Sequence, residues 1–110
     1  MPNYSKNEVI LVQYPFSNSS GSKVRPAVVI NGPHTSQDIL IVPLTSRLSP
    51  LLAGEFILTD WTNAGLKISS AVKRGLYTLH QSLVLKKVGT LSSMDAAGLD
   101  FALRQWLDLK

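Results

Sequence analysis

Lys23-Val24-Arg25-Pro26-Ala27-Val28-Val29-Ile30 is the stretch on which the reading of this chain turns. Pro26 fixes its own φ at about −65° and pushes the preceding residue out of the helical region. Arg25 is therefore expected to be extended, at the mouth of a strand rather than inside it. Ala27 to Ile30 is apolar, mostly β-branched and uninterrupted, which predicts a strand buried on both faces. A second rim of the same kind follows. Ile39-Leu40-Ile41-Val42 reads as another buried strand and runs into Pro43-Leu44-Thr45-Ser46-Arg47. The functional reading requires Arg25 and Thr45 to meet in space.

Working outward, Glu8 to Tyr14 reads as the first strand, stopped by Pro15. Phe16 to Lys23 is a long connection of small polar residues with one aromatic, expected to be mobile and to carry contacts. His34 falls in the turn-rich segment before the third strand. Past Pro43 to Gly54, a strand is expected over Glu55 to Thr59. Lys67 to Lys73 is ambiguous with strand preferred, Leu76 to Leu79 reads as a short strand or turn, and Leu83 to Leu91 holds one more strand. Short strands joined by Gly, Pro and Ser turns point to a small barrel.

One helix is expected, at the end. Ser92 or Ser93 caps it, and Asp95 supports the cap and the helix dipole. Met94, Ala97, Leu99, Phe101, Ala102, Leu103 and Trp106 form its apolar stripe, and the helix runs to the chain terminus. Gly98 interrupts the stripe at a cost of about 1 kcal/mol of propensity and would let the helix approach the barrel closely. The architecture read from the sequence is mainly β (α+β), a small barrel with a C-terminal helix, in one domain spanning residues 1–110.

Eleven Lys and Arg against seven Asp and Glu give +4, and their spread says more than the total. Lys67 to Lys87 holds five cations and no acid. Such a basic body suits a polyanion, either nucleic acid or an acidic peptide. The absence of cysteine excludes disulfides and thiolate ligands and fits a reducing cytoplasm. No apolar run is long enough for a membrane helix, and the N-terminus lacks a signal-peptide layout. No phosphate-binding glycine loop, nucleophile signature or metal-ligand cluster is present, so no cofactor is expected.

The residues left for chemistry are polar groups at strand ends. Val9 to Val12, Tyr14-Pro15-Phe16, Gly21 to Val29 and Ile41-Val42-Pro43-Leu44-Thr45-Ser46 resemble the MazF/PemK toxins of type II toxin–antitoxin systems. Gly54-Glu55-Phe56, Leu76 to Leu79 and Lys87 to Ser92 extend the resemblance over nearly the whole chain. It implies an SH3-like barrel, a homodimer, a cytoplasmic metal-independent endoribonuclease acting on single-stranded RNA, and a cognate antitoxin that covers the RNA-binding face. It also implies Arg25 and Thr45 as the catalytic pair, with the substrate's 2′-OH as nucleophile and a 2′,3′-cyclic phosphate and 5′-OH as product ends. Asn7-Glu8 stands where relatives commonly have Gly-Asp, and Tyr77 to His80 lacks the Arg and Asp that many carry.

These roles agree with the chemistry. A guanidinium fork matches the oxygens of a phosphodiester that gains charge, and a Thr hydroxyl adds a neutral donor. A guanidinium is a poor base, so Arg25 reads as the charge stabiliser. His80 is the other available proton carrier, but Leu79-His80-Gln81-Ser82 reads as an exposed turn. RNA contacts are expected from Phe16, Ser17, Ser20, Lys23, Ser46, Arg47, Lys73 and Arg74. Phe16 and Tyr77 have the chemistry to stack a base, although burial in the core or a dimer contact is the commoner use of such residues. Trp61 and Trp106 read as packing. The competing reading is a barrel of the same fold that only binds, as a gyrase-inhibitor-like protein or a nucleic-acid-binding module.

Overall fold

The computed structural model describes residues 4–14, 23–31 and 37–110. Among these, seven strands form one antiparallel sheet: β1 Glu8–Tyr14, β2 Lys23–Val29, β3 Asp38–Thr45, β4 Phe56–Ile57, β5 Ala71–Val72, β6 Tyr77–His80 and β7 Val84–Thr90. A single helix, α1, covers Ser93–Trp106. The strand order is β4-β5-β3-β2-β1-β7, with β6 also paired to β3. This is the mainly β, barrel-like architecture with a C-terminal helix expected from the sequence. The Phe16–Lys23 connection, apart from Lys23 itself, and His34 lie outside the described residues.

Strand alternation sorts the apolar residues into two cores. Val9, Val28, Val42 and Leu44 face one side with Leu58, Val72, Leu91, Leu99 and Leu103, under α1. Ile10, Val12, Ala27, Val29, Ile39, Ile41 and Leu79 fill the other. Ala27, Val28 and Val29 are fully buried, so β2 is covered on both faces as its composition predicts. Burying side chains of this size is worth about 1.5–3 kcal/mol each for the larger ones.

Arg25 is not at the mouth of a strand. β2 begins two residues earlier, and Arg25 pairs with Val12 of β1. Pro26 is tolerated inside β2 because its missing N–H is a loss only on a ladder that needs it. The ladder with β3 covers Val29↔Ile41, Val28↔Val42 and Ala27↔Pro43 and stops there. Proline thus stands in both strands at the end of that ladder. Beyond it β3 leaves β2 and pairs with β5 through Leu44↔Val72 and Thr45↔Ala71.

α1 begins as expected, with the Ser92 hydroxyl accepting from the Asp95 amide at 3.2 Å. It does not reach the chain end. Asp108 turns at φ 57°, and the Leu109 amide donates to the Arg104 carbonyl at 2.7 Å, which closes the helix in a Schellman-type cap. The buried face is Asp95, Leu99, Ala102 and Leu103. Met94, Ala97 and Phe101 fall on the solvent side, contrary to the broad stripe read from the sequence; Phe101 is 63% exposed. Gly98 does bring the helix close: a Cβ there would stand 3.1 Å from the Phe56 ring. Both tryptophans pack against the core under the helix.

Asp95 does more than cap. Its carboxylate is buried and accepts from the Thr59 amide and hydroxyl, both at 2.9 Å, and from the Asp60 amide at 3.0 Å. Charge-assisted bonds of this kind are the strong ones. They fasten the start of the 59–68 loop to α1. Further on, Gly65 at φ 86° passes so close to the Val88 carbonyl that no side chain fits at that position. The loop is thereby laid across β7.

Candidate active site

The departure of β3 from β2 opens a groove of about 1120 Å³. Arg25 and Thr45 each stand two residues beyond the last β2–β3 pair, Ala27↔Pro43, where the two strands part. Both line the groove, with Pro26 and Pro43 between them and the core. Alternation along β2 and β3 places Arg25 and Thr45 on one face of the sheet, the face of Ala27, Val29 and Ile41. Lys73 joins that face, since its amide donates to the Pro43 carbonyl at 3.0 Å and so extends the β3–β5 ladder. Tyr77, opposite Ile41, lies on it as well.

The Thr45 hydroxyl oxygen accepts from the Arg47 amide at 3.1 Å. That bond occupies a lone pair and leaves the hydroxyl proton to be donated elsewhere. Thr45 is held as a fixed donor in the groove wall, and the Arg25 guanidinium lining the same groove is exposed rather than tucked into packing.

Among the described residues six cations line the groove, Arg25, Arg47, Lys67, Lys73, Lys86 and Lys87, and no carboxylate or imidazole does. Lys87 is bridged at 2.9 Å to Glu8, whose carboxyl burial pushes up but which the Ser5 amide and the Lys87 ammonium together hold below the ordinary value. Among the described residues no carboxylate forms an ion pair with Arg25, Arg47, Lys67, Lys73 or Lys86. A concave surface lined by one sign of charge concentrates the opposite sign in it. The volume exceeds the usual range for a small-molecule pocket of up to about 1,000 Å³, which suits a polymer better than a metabolite.

Of the residues read from the sequence, Arg25, Thr45, Ser46, Arg47 and Lys73 come together here. Arg74 does not: it lines a separate depression of about 250 Å³ with Gly75, Leu76, Leu103, Trp106 and Leu107. Lys23 opens β2. Phe16, Ser17 and Ser20 lie outside the described residues. His80 is exposed at the end of β6, where its Nδ1 accepts from the Ser82 amide at 3.2 Å and caps a short 3-10 turn, as its turn context suggests. Lys67, Lys86 and Lys87 were not singled out, although the acid-free run from Lys67 to Lys87 carried the signal. The groove also takes in Leu11 of β1 and Val24 of β2, with Leu66 and Ile68 brought there by the loop that Asp95 and Gly65 fix.

Asn7 takes φ 74°, a conformation open to glycine and tolerated by asparagine. Its amide donates to the Val29 carbonyl and its carbonyl accepts from the Leu91 amide. Asparagine therefore keeps the left-handed turn at a position where glycine is common in the resembling family.

The model of the PemK-like, MazF-like toxins of type II toxin–antitoxin systems matches residues 5–107. The chain belongs to that family. No curated protein matches it. Among solved structures it is similar to Mycobacterium tuberculosis toxin MazF-mt6, at 20% identity and TM-score 0.74 over 94% of this chain and 98% of that one. It is similar to MazF in a MazE–MazF crystal structure from Deinococcus radiodurans, at 14% identity and TM-score 0.77 over 96% and 97% of the two chains. An endoribonuclease in complex with its cognate antitoxin, from a mycobacterial species, aligns at 14% identity and TM-score 0.74 over 100% and 98%. At these identities the likeness bears on the fold.

Proposed function

We propose that this MazF/PemK-family protein is an endoribonuclease that cuts single-stranded RNA in the groove, with Arg25 and Thr45 as its catalytic pair. The observation that carries this reading is an exposed guanidinium and an oriented hydroxyl lining one groove where the sheet splits, a groove whose charged lining among the described residues is cationic. The substrate's 2′-oxygen attacks the adjacent phosphorus. A P–O2′ bond forms as the P–O5′ bond breaks, leaving a 2′,3′-cyclic phosphate and a 5′-OH. The proton lost by the 2′-OH passes to solvent, and solvent supplies the one taken up by the 5′-oxygen. Arg25 and Thr45 hold the charge that gathers on the non-bridging oxygens. Fixed donors aimed at such charge are each worth about a hundredfold or more in rate.

No step in this scheme calls for a metal, so cleavage is expected to continue in EDTA. Ser46, Arg47 and Lys73 position the chain by its phosphates. The proposal takes in three further features, of which the antitoxin is supported by the family and by structural neighbours solved as toxin–antitoxin complexes. The protein acts in the cytoplasm as a homodimer, and an antitoxin neutralises it by covering the same groove.

The test is cleavage of a single-stranded RNA in EDTA by wild type, Arg25→Ala and Thr45→Ala, with the product ends identified. Cyclic phosphate ends that disappear in both variants support the reading. Cleavage that survives both substitutions overturns it. Intact RNA bound with measurable affinity identifies the non-catalytic barrel instead.

A further inference from the structure

Tyr77 is a feature of the groove that the catalytic reading does not use. It begins β6, it is 42% exposed, and it lines the groove with Arg25, Thr45 and Lys73. A tyrosine committed to the core would be buried with its hydroxyl paired. A Cβ added at Gly75 would stand 2.8 Å from Tyr77 Cε2 and 3.1 Å from its hydroxyl oxygen. Glycine at that position is what lets the ring lie down against the backbone. Among the described residues no other aromatic side chain lines the groove, and the remaining apolar lining is aliphatic or proline. Tyr77 is thus a docked, half-open aromatic surface in a channel of cations.

We propose that Tyr77 is a base-stacking platform for single-stranded RNA, seated by Gly75, and that it binds a nucleotide next to the one that reacts. This rests on the groove being the RNA site. Thr45 lies on the face of Tyr77 but four residues along β3 from its partner Ile41, a separation of roughly 14 Å at strand spacing. Tyr77 is therefore too far along the strand to serve the scissile phosphate. Stacking is tolerant of base identity because every base has a π-face, and cationic side chains beside the platform track the backbone. Lys73 and Arg47 are placed to do so. The ring serves as a binding residue, so its loss raises KM and leaves kcat nearly unchanged.

The experiment measures binding of short RNA oligonucleotides made uncleavable by a 2′-deoxy nucleotide at the cut position. One set carries all its bases, and the other carries a single abasic position scanned along the chain. Wild type is expected to lose affinity at one abasic position by about 5- to 150-fold, the range for one stacked base. Tyr77→Leu should lose the same factor on the intact oligonucleotide and show no further penalty at that abasic position. Tyr77→Phe should keep wild-type affinity. Gly75→Ala, which displaces the ring without removing it, should fall between them. Sedimentation of each variant reads the oligomeric state alongside.

Wild type insensitive to every abasic position, or unable to bind the oligonucleotides, overturns the proposal. So does a Tyr77→Leu variant that weakens intact and abasic oligonucleotides equally while its oligomeric state changes, which would make Tyr77 an interface residue. The outcomes separate from those of the catalytic reading. Loss of stacking in a protein that never cleaves would leave Tyr77 standing and the nuclease fallen; unaltered binding with full cleavage would do the reverse.

Discussion

Asp95 and Arg25 are both charged, both fixed by the fold, and opposite in their degree of satisfaction. Asp95 is buried, and its carboxylate accepts three hydrogen bonds from Thr59 and Asp60. Arg25 is exposed, lining a groove with no carboxylate among its described residues. A buried charge must be compensated inside the protein or the fold suffers. A charge left uncompensated at a rigid rim is available to a ligand. The helix side of this molecule spends its polar groups on itself, and the split between β2 and β3 keeps them in reserve.

The strongest way to break this contrast is at the groove. Arg25→Ala should lower the cleavage rate by about a hundred- to a thousandfold, with the thermal midpoint within a degree or so of wild type, since an exposed side chain is removed. An unfolding transition shifted far down would put Arg25 among the structural residues. Thr45→Ala should cost about a hundredfold in rate, and Thr45→Ser should recover most of it, because the serine hydroxyl accepts from the Arg47 amide in the same way.

On the opposite side, Asp95→Ala strands the donors of Thr59 and Asp60 in a buried setting. It should cost roughly 3 kcal/mol in a denaturant titration. A normal melting curve for this variant would remove Asp95 from the account of the fold. The smallest effect sharpens the comparison with pH. The Glu8 carboxyl, raised by burial but lowered further by the Ser5 amide and Lys87, sits net below its ordinary value. Its stabilisation is fully present above the ordinary glutamate pKa and is lost as pH falls through the lowered folded-state value. Glu8→Gln should therefore lower stability slightly at neutral pH and converge on wild type at low pH, which flattens the acid limb of the stability profile.

Much of the fold was legible because it rests on local rules. β1 matches its predicted limits, Glu8–Tyr14, since alternation and Pro15 define them. The Ser92 cap and the close approach at Gly98 follow from residue chemistry. The two-residue strands β4 and β5 were blurred into longer segments, because their limits are set by partners across the sheet rather than by their own composition. Met94 and Phe101 were placed on the buried face because helical periodicity gives a stripe but not the angle at which the barrel meets it. Lys73 and Arg74 read alike as neighbours in sequence, yet Lys73 continues the β3–β5 ladder while Arg74 falls in the bend after it, and only Lys73 enters the groove.

The sequence by itself determined the buried strands, the prolines that end their ladder, the helix cap, and the acid-free run that becomes the rim of the groove. These are properties of neighbouring residues, settled by steric limits on the backbone and by apolar patterning. The tertiary structure decided that β3 leaves β2 for β5, that Asp95 ties the 59–68 loop to the helix, and that Tyr77 rests against Gly75 with its ring open. Each of these depends on residues far apart in the chain coming into contact, and no local preference encodes which distant partner a strand end or a carboxylate will meet.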